Sequence, residues 1–173
     1  METTAALKQV EGTLSIVCDH TTAMKAKLED LLFRAQRIAA GAKNGMPSND
    51  TMFLYDLQGY RRGLRPFAGE ISGLPVLLGS IERTATYDET AAKFATSVMR
   101  LAMRLSNLLR SLHDTSLLAH QHIRTADHKM EAWYLAKEIE EVVMGGMGLP
   151  TVANKIVIAT QTPPKTSAPP AAG

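Results

Sequence analysis

Cysteine is all but missing from this chain. Cys18 stands alone among 173 residues, which excludes an internal disulfide, a thiolate zinc site and a disulfide-stapled secreted scaffold. Aromatic residues are scarce at 5%, so any core must be filled by Leu, Met, Ala and Val, the composition of a helical bundle. No charge-free apolar run approaches the about eighteen residues of a membrane-spanning helix. Met1 is followed by Glu2 instead of the basic-then-apolar opening of a cleaved export signal. The expectation is a soluble protein with no membrane span, in the cytoplasm or within an intracellularly assembled particle.

Acidic residues are missing from two stretches. Thr90 to Leu112 holds Lys93, Arg100, Arg104 and Arg110 with no Asp or Glu, and from Val142 to the end only Lys155 and Lys165 carry charge. Those two lysines equal the formal net charge of +2, while the intervening Asp127 to Glu141 is predominantly acidic. A helix through this region is electrically polar along its length, a pattern that steers antiparallel packing or an anionic partner.

The familiar signatures of catalysis are missing too. No serine, histidine and acid constellation stands out. Gly145, Gly146 and Gly148 follow a helix instead of opening one and lack a following Lys-Ser/Thr, so they do not form a phosphate loop. Glu131, Glu138, Glu140 and Glu141 lack the companion Glu-His pairs of a di-iron bundle and read as a solvated acidic face. Cys18 reads as a small core residue. The expectation is a non-enzymatic protein with no catalytic, cofactor or metal-ligating residues.

What is present is periodicity. Leu7, Val10, Leu14, Val17, Thr21, Met24, Leu28, Leu31, Ala35 and Ile38 fall at successive 3-4 spacings, the mark of one helical face turned to a partner helix. The flanking positions lack the Glu/Lys lattice of a free coiled coil, which favours a bundle wall. This helix is expected over about 4–40, ending near Gly41. Pro66, Pro75 and several glycines break up the next segment, so short helices are expected over about 50–84, started by Ser48, Asn49 and Asp50 and packed as a cap.

Thr86 to Glu89 matches a capping box, opening a long helix over about 87–144. Its core row steps from Leu105, Leu108 and Leu112 to Ser116, Ala119, Ile123, Ala126, Met130 and Trp133, and two successive four-residue steps make a stutter at Leu112. Uninterrupted, it spans roughly 85 Å. Either it breaks near His113 to Ser116, or part of it projects toward another subunit. Beyond it, Thr151 to Thr160, with Val152, Ile156, Val157 and Ile158, reads as a lone strand needing an outside edge. The fold class predicted is all-α: an antiparallel long-helix pair, short capping helices and an extended tail, divided as a bundle over 1–148 and a Pro/Ala/Thr-rich tail over 149–173.

Three functional readings follow. The leading one is a structural subunit that self-assembles into a homo-oligomer, with Met130, Trp133, Tyr134, Val152, Ile156 and Ile158 at the interface and Trp133 as its anchor. The second is a nucleic-acid-binding coat or accessory subunit that sets Arg61, Arg62, Arg65, Lys93, Arg100 and Arg104 against a phosphate backbone. Against it, the same arginines could pair with the acidic end of a neighbouring helix, and a pI of 8.7 is modest for a nucleic-acid domain. The third is a metal-binding or sensor domain built on His113, His120, His122 and His128 with Asp114 and Asp127. Residues seven apart on a helix lie about 10 Å apart along its axis, too far to share one ion.

Overall fold

The computed structural model describes residues 2–43, 52–123 and 126–164, and every regular element among them is an α-helix. The chain forms α1 (Glu2–Lys43), α2 (Phe53–Thr84), α3 (Glu89–His122), α4 (Ala126–Gly146) and α5 (Leu149–Gln161). The long stripe of the first helix is buried as expected: Leu7, Val10, Leu14, Val17, Leu28, Leu31 and Ala35 all lie in the core. Thr21, the polar member of that row, is fully buried and returns its hydroxyl to the Val17 carbonyl at 2.7 Å.

The middle segment differs from expectation. Instead of several short capping helices there is one helix of 32 residues, running through Pro66, Pro75 and its glycines. The reason is a second uninterrupted row: Phe53, Leu57, Tyr60, Leu64, Phe67, Ile71, Leu74, Leu78 and Ile81 are all buried at 3-4 spacing. Interior prolines and glycines lower helix propensity. Nine side chains burying about 1.5–3 kcal/mol each outweigh that cost. Pro66 stands on the exposed face, where water can solvate the Arg62 carbonyl that the missing N–H leaves without a helical donor. The expected caps Ser48, Asn49 and Asp50 lie outside the described residues.

The long C-terminal helix is also corrected. Its N-cap is Asp88 rather than Thr86: the carboxylate accepts from the Thr90 and Ala91 amides at 2.9 and 3.2 Å. The stutter does not break it, because Thr115 and Ser116 turn inward and satisfy their hydroxyls on the Ser111 and His113 carbonyls. The helix ends instead at Ile123, which takes an extended conformation while its side chain stays buried. Among the described residues the chain folds back as α4 instead of projecting. Thr151–Thr160 is helix, not strand, since Leu149, Ala153, Ile156 and Thr160 recur at the helical period and are buried. The β-branched run decided nothing against that row, and α5 shares the core of α1–α4.

Side-chain contacts order the helices. Along α1 and α2, His20 meets Glu70, the Met24 carbonyl meets Tyr60, and Arg34 meets Asp56, so these two run antiparallel. Along α1 and α3, Lys8 meets Phe94 and Cys18 meets Leu101, so those two run the same way. The expected antiparallel pairing of the first helix with the long C-terminal one is therefore not found. The α4–α5 column returns antiparallel to α3, with Ser106 near Met147 and the Asp88 amide donating to the Thr160 carbonyl at 3.0 Å. It also lies beside α2, where Arg61 reaches Glu131 and Glu138, and Lys155 reaches Glu82. Around the bundle the order is α1, α3, α4–α5, α2, which leaves α2 and α3 on a diagonal despite their short connection.

Candidate functional site: an aromatic platform on α4

Residues 130 to 138 of α4 gather the most organised exposed cluster among the described residues. Met130, Trp133 and Tyr134 lie on the outer face of this helix because Ala132, Leu135, Ala136 and Ile139 take its inner one. Met130 is 55% exposed, Trp133 48% and Tyr134 40%, so each retains a large apolar area in water. The two rings meet edge to face with centroids 5.3 Å apart.

Cations hold the rings from either side. The Arg61 guanidinium of α2 lies 4.8 Å from the Tyr134 centroid, and the Lys137 ammonium 5.8 Å from that of Trp133. Arg61 is itself fixed: its Nε donates to Glu138 at 2.8 Å and its Nη1 to Glu131 at 3.0 Å. These hydrogen bonds, that to Glu138 foremost, hold the guanidinium more firmly protonated than usual. Two carboxylates, one arginine and one phenol ring thus clamp α2 to α4, and the clamp sets the orientation of the exposed rings. Just beyond it Leu64, Arg65, Ala68, Gly69 and Gly145 line an open groove of about 430 Å³ between the two helices.

No known protein family, curated protein or solved structure matches this chain. The site must therefore be read from its own chemistry. Of the six interface residues expected from sequence, Met130, Trp133, Tyr134 and Ile158 are exposed, Val152 is partly buried against the core, and Ile156 is wholly inside it. Ile156 is thus a packing residue of α5, a consequence of helix replacing strand.

The six basic residues expected at a nucleic-acid face are not brought together. Arg61 is taken by the α4 carboxylates, Arg62 stacks near Tyr55, and Arg65 lines the groove beside Glu138 and Glu141. Lys93, Arg100 and Arg104 stand on α3, diagonally across the bundle. These three share one exposed face, Arg110 is exposed further round the helix, and none of the four makes an ion pair among the described residues. Arg100, Met103, Arg104, Asn107 and Leu108 border a shallow hollow of about 500 Å³. Leu108, expected in the core row of the long helix, is only partly buried and borders this hollow.

The histidines disperse. His128 packs its ring edge-on to Phe53 at 5.1 Å, and His20 pairs with Glu70 at 2.8 Å. Among the described residues no group of three or more His, Cys, Asp or Glu side chains could hold a metal ion. Cys18 is buried in the α1–α3 seam, where its thiol points to the Leu101 carbonyl at 3.7 Å. Burial pushes that thiol up; the nearby Arg104 guanidinium pulls the other way, and Asp19 adds to the rise. This is the environment of an inert core thiol.

The stretch Asp127–Gln161 contains an 18-residue window of mean hydropathy 1.5, long and apolar enough by composition to cross a membrane, although Lys155 interrupts it. Only 33% of that window is buried. Met144, 72% exposed, and Ile158 are exposed apolar side chains further along α4 and α5.

Proposed function

We propose that this protein is a non-enzymatic helical subunit that works by self-association, with the outer face of α4 as its contact surface. The observation that carries this reading is the platform of Met130, Trp133 and Tyr134: exposed aromatics held by Arg61, Glu131, Glu138 and Lys137 before any partner arrives. Aromatic anchors dominate interface energetics. Rings already fixed in place lose little conformational entropy on docking, so more of their contact energy appears as affinity. The exposed Met144 and Ile158 add further apolar side chains on α4 and α5 to that reading.

The test is the mass of the full chain in solution by sedimentation equilibrium. A concentration-dependent oligomer is expected, and a chain still monomeric at high micromolar concentration refutes self-association. Truncation at Met144 does not serve as a test, since it deletes the buried Leu149, Ala153 and Ile156 together with any tail contact.

A second reading, binding of nucleic acid, is favoured by Lys93, Arg100, Arg104 and Arg110 on α3, cations with no ion-pair partner among the described residues. Affinity for an oligonucleotide that falls steeply as salt is raised supports it. Absent or salt-insensitive binding sets it aside.

A further inference from the structure

We infer that the groove between α1 and α2 is a binding site for an uncharged, largely apolar small molecule, independent of self-association through α4. The groove measures about 580 Å³, and ligand pockets run from about 300 to about 1,000 Å³. Leu31 and Tyr60 line it as buried residues, and Met24 lines it while partly packed on the core, so its floor is apolar. Tyr60 spends its one hydroxyl proton on the Met24 carbonyl at 2.9 Å and offers an incoming molecule no free donor. On the α2 side the wall lacks side chains at Gly59 and Gly63, one helical turn apart. No packing within the chain requires glycine there. A Cβ at Gly63 would meet nothing within 4 Å, and one at Gly59 only the Arg62 Nη2 at 3.8 Å, whereas Gly146 must admit Leu109. Glycine weakens a helix interior, and what this pair gives in exchange is open space beside an apolar floor.

The mouth sets the charge of the ligand. Among the lining residues, Lys27 and Asp30 stand exposed on α1, and Arg34 of α1 pairs with Asp56 of α2 at 2.8 Å. Cations and acids are thus equal in number, and a ligand of either sign meets as much repulsion as attraction. A neutral molecule meets neither, and its own polar group can hydrogen-bond at the rim, where Lys27 donates and Asp30 accepts. The rim is also set in advance. The Arg34 guanidinium is held by Asp56 and lies 5.5 Å from the Phe53 centroid, so binding has little to order there. Neither of the other hollows described above combines these features: the α2–α4 groove sets Glu138 and Glu141 against Arg65, and the α3 hollow is bordered by one helix.

The probe is N-phenylnaphthylamine, a neutral fluorophore that brightens in apolar surroundings, compared with anilinonaphthalene sulfonate, the same skeleton bearing a negative charge. Titrated into the full chain, the neutral probe should bind saturably and roughly tenfold or more tighter than the anion. Gly59→Leu and Gly63→Leu each place a side chain in the groove and should weaken its binding roughly tenfold or more, while Gly73→Leu, on the same helix outside the groove, leaves it unchanged. Circular dichroism checks that each variant is folded, and sedimentation equilibrium that each keeps the wild-type mass. Asp30→Lys, an exposed change that leaves the mouth positive, should move the preference toward the anion and serves if the leucine variants are unfolded. No saturable binding of the neutral probe overturns the site. Binding that survives both groove variants overturns it too, by placing the probe elsewhere, as on the exposed rings of α4. A wild-type preference for the anion, or one that Asp30→Lys does not move, overturns the neutral ligand. A mass that changes in Gly63→Leu but not in Gly73→Leu assigns the groove to contact between copies instead.

Discussion

Helix α2 and the α3–α4 junction answer the same question in opposite ways. Between Phe53 and Thr84 the chain contains Pro66, Pro75 and five glycines yet stays helical throughout. At Ile123 it leaves the helix with neither proline nor glycine among the residues described there. Local propensity favours the reverse. The difference shows that continuity of the buried row, and the need to bring a fourth column back over the core, decided where helices run and stop.

The sharpest way to break that comparison is to cut the α2 row. Leu74→Ala, at a site with no exposure, should cost about 2–5 kcal/mol in urea unfolding. A loss below about 1 kcal/mol would mean the row is not what carries the helix past its prolines. Next is Gly146, whose missing side chain admits Leu109: an added Cβ would lie 2.5 Å from the leucine Cδ1 and 3.4 Å from the Ile71 Cγ2. Gly146→Ala should therefore destabilise by about 1–3 kcal/mol, although alanine is the better helix former.

Smaller is Tyr60→Phe, which removes the phenol donating to the Met24 carbonyl at 2.9 Å and should cost about 1 kcal/mol near neutral pH. Burial raises the Tyr60 phenol well above its ordinary value, so the folded chain keeps a proton that the unfolded chain gives up first. Its contribution is intact below about pH 10 and is lost as pH climbs from there toward the folded value. Wild-type stability should consequently fall more steeply in alkali than that of Tyr60→Phe, and parallel curves would contradict this account. Smallest is Gly73→Ala, on the outer face with nothing within 4 Å of the new Cβ. It should stabilise by roughly 0.5–1 kcal/mol, a direct reading of what glycine costs a helix that persists regardless.

How much of this was legible beforehand depended on whether a pattern was periodic or punctuated. The row from Leu7 to Ile38 announced α1, but the same counting carried the core row of the long helix through Met130 and Trp133, which turn outward while Ala132, Leu135, Ala136 and Ile139 face in. Prolines and β-branched residues misled. Pro66 and Pro75 drew attention from the nine-member row beneath them, and Val152, Ile156, Val157 and Ile158 suggested a strand while Leu149, Ala153, Ile156 and Thr160 kept helical time. The clamp of Arg61 by Glu131 and Glu138 joins residues 70 and 77 positions apart, and only charge complementarity hinted at it. The α3 hollow, bordered by Arg100, Met103, Arg104, Asn107 and Leu108 of one helix, was hidden because Leu108 counted as a member of the core row and is only partly buried.

The diagonal placement of α2 and α3 has a consequence for synthesis. When the first 122 residues have emerged, α1 can join both helices, but the opposite side remains an open trench floored by Leu74, Leu78, Leu105 and Leu109. The last-made column is the keystone that fills it. A ribosome pausing between α3 and α4 would therefore hold out a sticky, half-roofed intermediate, and chaperone demand in the cell should peak at that point.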